Sequence, residues 1–322
     1  MKNAARTLYK KLPASFRKQA SKLYHRYRYP ALLFRIHSAP RFQNTYFQFM
    51  KTVQSPIVMR RYRLREELLA QHNEFSIQSR QGFARYAPKN FPFLNDVLQE
   101  ARESLKAHEI KQLVTQSKKP FLVKVPYDCT LDSPFIQFAT HPRVLAPIAE
   151  YLGIVPVLTS VILYYSPNEM MESGRSQSYH LDETDKRVIK LWVFIEEVSE
   201  DTGPLTIIDA AVSQTIFKEM RRRGDTRSRN EKHDDSRIEM LTTQPPTPLT
   251  GPPGTIAFVD TDNCYHYGSR PGTRPRYMLM FQYHSPWAYD MPLFWRRSNE
   301  VPFSALVTPE TPELARLVLG YQ

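Results

Sequence analysis

Short apolar runs follow one another along the second half of the chain and predict β-strands. Each run is rich in β-branched and aromatic residues and is bounded by Gly, Pro, Asp or Asn, which is the pattern of strands separated by turns. We expect strands at Val157–Ser166, Ser178–Glu183, Val188–Val198, Pro204–Asp209, Thr255–Asp260, Tyr265–Gly268 and Arg276–His284. A series of this kind predicts an all-β, barrel-like core.

The chain upstream of these strands has a different period. From Glu66 to about Ile110 the pattern is helical, most clearly at Leu94–Leu105, where apolar residues recur every three or four positions. We expect a strand at Pro120–Pro126 and a further helix at Thr140–Leu152, which begins with an N-capping residue and an early proline and is followed by Gly153. The predicted fold class is therefore mainly β with a helical N-terminal part.

Positive charge is concentrated in an N-terminal arm, residues 1–65. The arm contains 16 Lys and Arg and no acid, and because the whole chain carries +12, the remainder carries −4. Apolar residues recur at helical spacing between the basic ones, at Leu8, Leu12, Phe16, Ala20 and Leu23. Three roles stay open for the arm: a solvated basic helix on its own domain, peripheral contact with an anionic membrane or substrate, and an organellar transit peptide.

Several classes are disfavoured by the same composition. No apolar run approaches the roughly 20 residues that cross a bilayer, and no signal-peptide core follows the first charges. No base-reading motif accompanies the basic arm, so we do not expect nucleic-acid binding. Cys129 and Cys264 have neither CxxC nor zinc-site spacing; a disulfide between them stays open, but two cysteines suit a reducing compartment. We expect a cytoplasmic protein, with membrane-peripheral attachment and organellar import as alternatives.

A charged insertion at about 212–250 separates two of the predicted strands. It contains the run Arg221-Arg-Arg-Gly-Asp-Thr-Arg-Ser-Arg229 and ends in a Pro-rich stretch. Such a segment is either disordered or a mobile lid over a site.

A metal-binding pattern lies in the run Ser178-Tyr-His180-Leu-Asp182-Glu. On a strand, residues two apart point to the same face, so His180 and Asp182 can project together into a barrel. Two histidines and one carboxylate on one face of a metal leave three positions open, the arrangement of oxygen-activating Fe(II) sites. The HxD pattern alone is weak, because two decoys, at 72–74 and 233–235, have similar spacing without flanking strands.

The order of motifs after His180 is more specific, and it resembles the phytanoyl-CoA dioxygenase family over about residues 118–290. The matching runs are His180-Leu-Asp182, Leu191-Trp-Val-Phe-Ile-Glu-Glu-Val198, Thr202-Gly-Pro-Leu-Thr-Ile-Ile208, Gly254-Thr-Ile-Ala-Phe-Val-Asp260, His266-Tyr-Gly-Ser269 and Pro275-Arg-Tyr-Met-Leu-Met-Phe-Gln-Tyr283. The resemblance implies a double-stranded β-helix, or jelly roll, that binds Fe(II), 2-oxoglutarate and O2.

The resemblance also implies roles for individual residues. His180, Asp182 and His266 match the family's three iron ligands, and they would be both the catalytic and the metal-binding residues. Arg276 matches the arginine that binds the distal carboxylate of 2-oxoglutarate, for which a guanidinium fork is well suited. Trp192 matches an aromatic residue beside the cosubstrate, with a core tryptophan as the alternative.

Two further matches to the family are less regular. Lys124 loosely matches a lysine that contacts the cosubstrate, with a solvated edge-strand lysine as the alternative. The small polar residue often found two positions after the second histidine is Gly268 here, with Ser269 beside it. The finer contacts to the cosubstrate are therefore expected to differ from the family's pattern.

Together these observations predict a basic arm at 1–65, a helical lead-in at 66–117, an oxygenase domain at 118–290 that contains the insertion, and a tail at 291–322. The predicted activity is 2-oxoglutarate-dependent oxidation, most simply hydroxylation of a C–H bond in a small or lipid-like substrate, with release of succinate and CO2. The alternative is a non-catalytic metal-binding barrel that acts as a binding or membrane-associated scaffold.

Overall fold

A computed structural model describes residues 45, 48–49, 52, 55–88, 91–170, 176–225, 229–288 and 301–320. Its helices are α1 (Ser55–Gln71), α2 (Leu94–Lys106), α3 (Ile110–Gln116), α4 (Pro134–Thr140), α5 (Pro142–Leu152), α6 (Ala210–Arg222), α7 (Asp235–Glu239) and α8 (Glu313–Leu319). Its strands are β1 (Phe83–Tyr86), β2 (Val123–Val125), β3 (Val157–Ser166), β4 (Val188–Phe194), β5 (Thr206–Ile207), β6 (Thr247–Pro248), β7 (Ile256–Val259), β8 (His266–Tyr267) and β9 (Arg276–His284).

The described strands form two antiparallel sheets. A six-stranded major sheet has the order β1-β7-β4-β9-β3-β2, and a three-stranded minor sheet has the order β6-β5-β8. From β3 onward the chain crosses repeatedly between the sheets: β3, β4, β7 and β9 lie in the major sheet, and β5, β6 and β8 lie in the minor one. An isolated bridge between His180 and His266 adds one more crossing on the minor side. This arrangement is a double-stranded β-helix, and the predicted fold class is confirmed.

The two faces of the major sheet have different compositions, as the two-residue repeat of a strand requires. One face carries the buried Leu163, Leu191 and Phe281, which belong to the large apolar core shared with the helices. Each such side chain contributes roughly 1.5–3 kcal/mol through removal from water. The opposite face carries residues such as Trp192 and Met280, which are paired across β4 and β9. This second face lines the inside of the double sheet.

The longest strands have the bounds that the sequence predicts, whereas the shorter ones are trimmed. β3 and β9 coincide with the predicted Val157–Ser166 and Arg276–His284. The predicted strand at Ser178–Glu183 is reduced to single bridges at Tyr179 and His180. Strands of the minor sheet need only two paired residues, so apolar runs overestimate their length.

The start of α5 differs by one residue from the prediction. Thr140 was predicted to cap this helix, but it ends α4 and donates its hydroxyl to the carbonyl of Ile136 over 2.8 Å. The cap is His141, whose Nδ1 accepts from the backbone N–H of Arg143 over 3.1 Å. Gly153 ends the helix in the left-handed region (φ 77°), as predicted.

The predicted helical lead-in at 66–117 also contains a strand. β1 pairs antiparallel with β7 at the edge of the major sheet. Four residues are too few to show a period, and their conformation is decided by pairing with a segment more than 150 residues away along the chain.

The predicted boundary of the arm at residue 65 lies inside α1. The compact unit that contains both sheets begins at Gln54, and Arg61 of α1 is fully buried. Its guanidinium donates to the carbonyls of Val155, Pro156, Leu317 and Gly320. Part of the arm's charge is therefore structural. Residues 1–44, on which the predicted amphipathic pattern falls, lie outside the described residues.

The charged insertion at 212–250 contains ordered elements in its described part. Most of α6, all of α7 and β6 fall within it, and Ile216, Met220 and Ile238 are buried in an apolar cluster with Tyr265. Both cysteines are free thiols, so no disulfide joins them. No helix in the described ranges is long and apolar enough to cross a membrane.

Candidate metal centre

Three potential metal ligands converge inside the double sheet. His180 and His266 are cross-strand neighbours, since each donates its backbone N–H to the carbonyl of the other over 3.1 and 3.0 Å. Asp182 lies two residues further, where its N–H donates to the carbonyl of Thr261 over 2.9 Å. One donor atom from each of the three side chains lies within 4.8 Å of the other two. The structure thus brings together the triad predicted from the sequence.

Both imidazoles present Nε2 toward the triad with its lone pair free. Nδ1 of His180 lies 2.9 Å from the carbonyl of Ser178, and Nδ1 of His266 lies 2.9 Å from the carbonyl of Cys264. A carbonyl only accepts, so each Nδ1 carries the proton and each Nε2 is left as a ligand. Burial and the adjacent His266 lower the pKa of His180 to about 2, and burial also lowers the pKa of His266. Both rings are neutral at physiological pH.

Asp182 is the anionic member of the triad and has a cationic partner that sequence reasoning missed. Burial raises the pKa of its carboxyl, but Lys190 and the two imidazoles together lower it below the ordinary value, so it is ionised. Lys190 Nζ donates to Asp182 Oδ2 over 2.6 Å. The signal in the sequence is a lysine within the apolar run of β4, two residues before Trp192 and therefore on the inner face.

Arg276 is buried without an acidic partner. It opens β9, is 5% exposed, and donates Nη1 to the carbonyl of Gly203 and Nη2 to the Ser269 hydroxyl, the latter over 2.7 Å. No described carboxylate lies within ion-pair distance of it, and burial lowers its pKa to about 10. A buried guanidinium without a counter-ion is costly, so this position favours binding of an anion.

Ser269 follows Gly268, the position at which the sequence pattern has a small polar residue, and its hydroxyl contacts Arg276. Its backbone is in the left-handed region (φ 57°), and its N–H donates to the carbonyl of Gly203 over 3.1 Å. Gly203 is also left-handed (φ 58°), and a Cβ there would collide with the carbonyl of Arg270. These two turns place the Ser269 hydroxyl against Arg276.

The remaining two predicted residues lie on the same inner face but differ in surroundings. Trp192 is half-buried, with its ring centroid 6.0 Å from that of Tyr164. Its Nε1 is buried and has no hydrogen-bond partner among the described residues. Lys124 is exposed on the edge strand β2, opposite Tyr164, and its ammonium has no ion pair in the described part of the chain. Its predicted contact with a cosubstrate stays a prediction.

The two decoy patterns do not form metal clusters in the described ranges, where the His180 triad is the group found. In the pattern at 233–235, Asp235 accepts from both terminal nitrogens of Arg270, over 2.7 and 2.6 Å. In the pattern at 72–74, Glu74 pairs with Arg143 over 3.1 Å. Each acid is engaged in an ion pair, as is usual for polar surface segments.

Comparisons with known proteins give distant likenesses only. No protein-family model matches the chain, and no curated protein matches it. Among solved structures, EctD from S. alaskensis in its apo form is 19% identical, with a TM-score of 0.46 over 64% of this chain and 74% of that one.

Two other solved structures are similarly distant. HygX from Streptomyces hygroscopicus, with nickel and 2-oxoglutarate bound, is 12% identical, with a TM-score of 0.45 over 66% of this chain and 89% of that one. SnoN, the non-haem α-ketoglutarate-dependent epimerase from nogalamycin biosynthesis, is 15% identical, with a TM-score of 0.39 over 77% and 91% of the two chains. Likeness at this level does not assign an activity to this protein.

Proposed function

We propose that this protein is an Fe(II)- and 2-oxoglutarate-dependent oxygenase related to the phytanoyl-CoA dioxygenases. The single observation that carries the proposal is the pairing of the triad with Arg276. Two neutral imidazoles and one carboxylate form a donor set that suits Fe(II) and leaves three positions open. A buried arginine without an acidic partner then supplies a binding site for a second, carboxylate-bearing compound.

The protein's own residues divide the work of binding. His180, His266 and Asp182 would hold the metal, and Lys190 orients the carboxylate of Asp182 by donating to its Oδ2. Arg276 and the Ser269 hydroxyl would bind the distal carboxylate of 2-oxoglutarate. The buried Nε1 of Trp192 has no acceptor among the described residues, and an oxygen of a bound ligand would provide one. With metal, cosubstrate and O2 bound, such a centre supplies oxidation of a C–H bond with release of succinate and CO2.

The alternative of a non-catalytic metal-binding barrel does not account for Arg276. A barrel that binds only a metal gains nothing from a buried, uncompensated guanidinium, which costs stability.

Hydroxylation is the simplest outcome on a small or lipid-like substrate, and desaturation, cyclisation and epimerisation use the same ligands. Contact of the arm with an anionic membrane, in a cytoplasmic or organellar setting, belongs to the proposal as well and concerns residues outside the described ranges.

An anaerobic titration tests the proposal before any substrate is known. Purified protein is mixed with Fe(II) and then with 2-oxoglutarate under nitrogen. We expect a weak visible charge-transfer band that depends on both additions and is missing in Asp182→Ala. Admission of O2 should then give slow succinate release. A wild-type protein that binds Fe(II) but shows neither the band nor 2-oxoglutarate-dependent succinate would favour the binding-protein alternative.

A further inference from the structure

Besides Lys190 and Arg276, a third basic side chain, Lys232, lies in the row of side chains that contains His180 and His266. Tyr179 and His233 exchange both backbone hydrogen bonds, over 3.0 and 2.8 Å. The residues next to them, His180 and Lys232, are therefore neighbours across the two segments and share the opposite face. His180 is also opposite His266. Lys232, His180 and His266 thus follow one another across the inner face of the minor sheet.

Contacts of Tyr179 and His233 on the outer face of the same segments support the inward orientation of His180 and Lys232. Tyr179 packs in the apolar cluster with Tyr265, and the ring of His233 lies 5.8 Å from that of Tyr265. Because successive residues of a strand point to opposite faces, the residues adjacent to Tyr179 and His233 point inward.

Lys232 is half-buried and has no hydrogen-bonded or ion-paired partner among the described residues. Burial lowers its pKa to about 8, Lys190 and Lys119 add to the decrease, and Asp182 opposes it. Lys232 is therefore within electrostatic reach of the triad and of two other lysines. These lysines differ in their surroundings, since Lys190 is engaged with Asp182 and Lys119 is exposed. Asp182 and Glu231 attract the ammonium of Lys232 from a distance, but no described carboxylate forms an ion pair with it.

We propose that Lys232 binds an anionic group of the prime substrate, a carboxylate, phosphate or sulfate, beside the metal centre. This inference rests on the proposed function, because an oxygenase of that class has a prime substrate in addition to its cosubstrate. The cosubstrate has its own anchor at Arg276 and Ser269, which lies on other elements of the double sheet. Lys232 comes instead from the insertion that separates β5 from β7, a segment outside the pattern shared with the family. A cation from that segment is therefore suited to binding the prime substrate rather than the cosubstrate.

The charge also explains which substrates would be rejected. A neutral or cationic compound in the same place would leave Lys232 half-buried and uncompensated. An anionic group neutralises it and gains a charge-assisted hydrogen bond, worth about 10- to 150-fold in affinity when well formed. Because Lys232 is only half-buried, solvent screening places the expected gain at the lower end.

Calorimetric titration of the full chain with phenyl phosphate tests this proposal, with phenol as the uncharged counterpart. The titration is run on protein loaded with Fe(II) and saturating 2-oxoglutarate under nitrogen, and again on metal-free protein. We expect phenyl phosphate to bind more tightly than phenol, and Lys232→Gln to weaken it about tenfold. Lys218→Gln, which changes an exposed lysine of α6 in the same insertion, is the matched control and should leave the affinity unchanged.

The outcomes separate this inference from the proposed function. Equal affinity for phenyl phosphate in wild type and Lys232→Gln, or no binding by the wild type, overturns the role of Lys232. Loss of phenyl phosphate binding as 2-oxoglutarate is raised would assign the lysine to the cosubstrate and also overturn it. Lys232-dependent binding in a protein without the charge-transfer band would support the anion site while contradicting the oxygenase.

Discussion

Replacing Arg276 with Met should separate cosubstrate binding from folding. The guanidinium is buried with a pKa lowered by burial from 12.5 to about 10, which corresponds to roughly 3 kcal/mol against the charged form. Among the described residues, that cost is offset in the free protein by bonds to the Gly203 carbonyl and the Ser269 hydroxyl. A bound carboxylate would add two charge-assisted bonds, and losing such a partner costs roughly 2–5 kcal/mol, or about 30- to several-thousand-fold in affinity.

Two measurements on the same proteins follow from these magnitudes. The affinity for 2-oxoglutarate, read from the charge-transfer band, should fall by at least about 30-fold in Arg276→Met, with Fe(II) affinity retained. Unfolding of the ligand-free variant should change little, because the removed charge was itself unfavourable. Saturating 2-oxoglutarate should stabilise the wild type by about 2.7 kcal/mol at 100 times its Kd, and the variant hardly at all.

Arg274→Met is the matched control for this experiment. Arg274 is a neighbouring arginine, half-exposed and paired with Asp201 over 2.9 Å and Glu197 over 3.3 Å. Because its charge is already compensated at the surface, its removal should leave 2-oxoglutarate affinity within about twofold of the wild type, as is usual for surface ion pairs. A normal affinity in Arg276→Met, or a larger loss in Arg274→Met, would refute the assignment of the cosubstrate anchor.

Three further predictions follow. His180→Ala and His266→Ala should each abolish Fe(II)-dependent turnover with the circular dichroism spectrum retained, and normal turnover in either would disprove the triad. The pKa of His180 is lowered to about 2 and that of His284 to about 3, both with burial as the main cause. Since the unfolded chain takes up these protons from about pH 6.5 downward, metal-free stability should fall below that pH by up to about 1.4 kcal/mol per pH unit for each histidine. Urea unfolding at pH 8, 6 and 5 checks this, and equal stabilities at the three values would contradict it. Deleting residues 1–30 should weaken salt-sensitive co-sedimentation with anionic vesicles, and equal sedimentation of both proteins would favour a helix that packs on its own domain.

The sequence was most informative where one strand carries many paired residues. β3 and β9 have long apolar runs, so their bounds and the position of Arg276 could be predicted. His180 and Asp182 could be proposed as a pair because a two-residue spacing on a strand gives a shared face, and the order of the motifs that follow them separated this pattern from the two decoys.

Other features depend on pairing between distant segments and leave little trace in a single run. Lys190 is identified as the partner of Asp182 only by the register that places it inside the sheet. The position of Lys232 follows from the bridge between Tyr179 and His233, which joins the insertion to the segment that carries His180. The contact of Ser269 with Arg276 depends on a left-handed backbone conformation, which a serine in the sequence does not indicate.

The burial of Arg61 has a consequence for how the protein can be shortened. One side chain near the beginning of the compact unit satisfies carbonyls at Val155 and Pro156 and, more than 250 residues away from itself, at Leu317 and Gly320. A truncation that removes α1 therefore removes the donor of these hydrogen bonds. A truncation that removes α8 and Gly320 removes two of the acceptors. A truncation that stops before α8, although far in sequence from the candidate metal triad, should loosen α1 and expose the first apolar residues of the domain to proteases. We therefore expect α1 and α8 to remain folded or to unfold together.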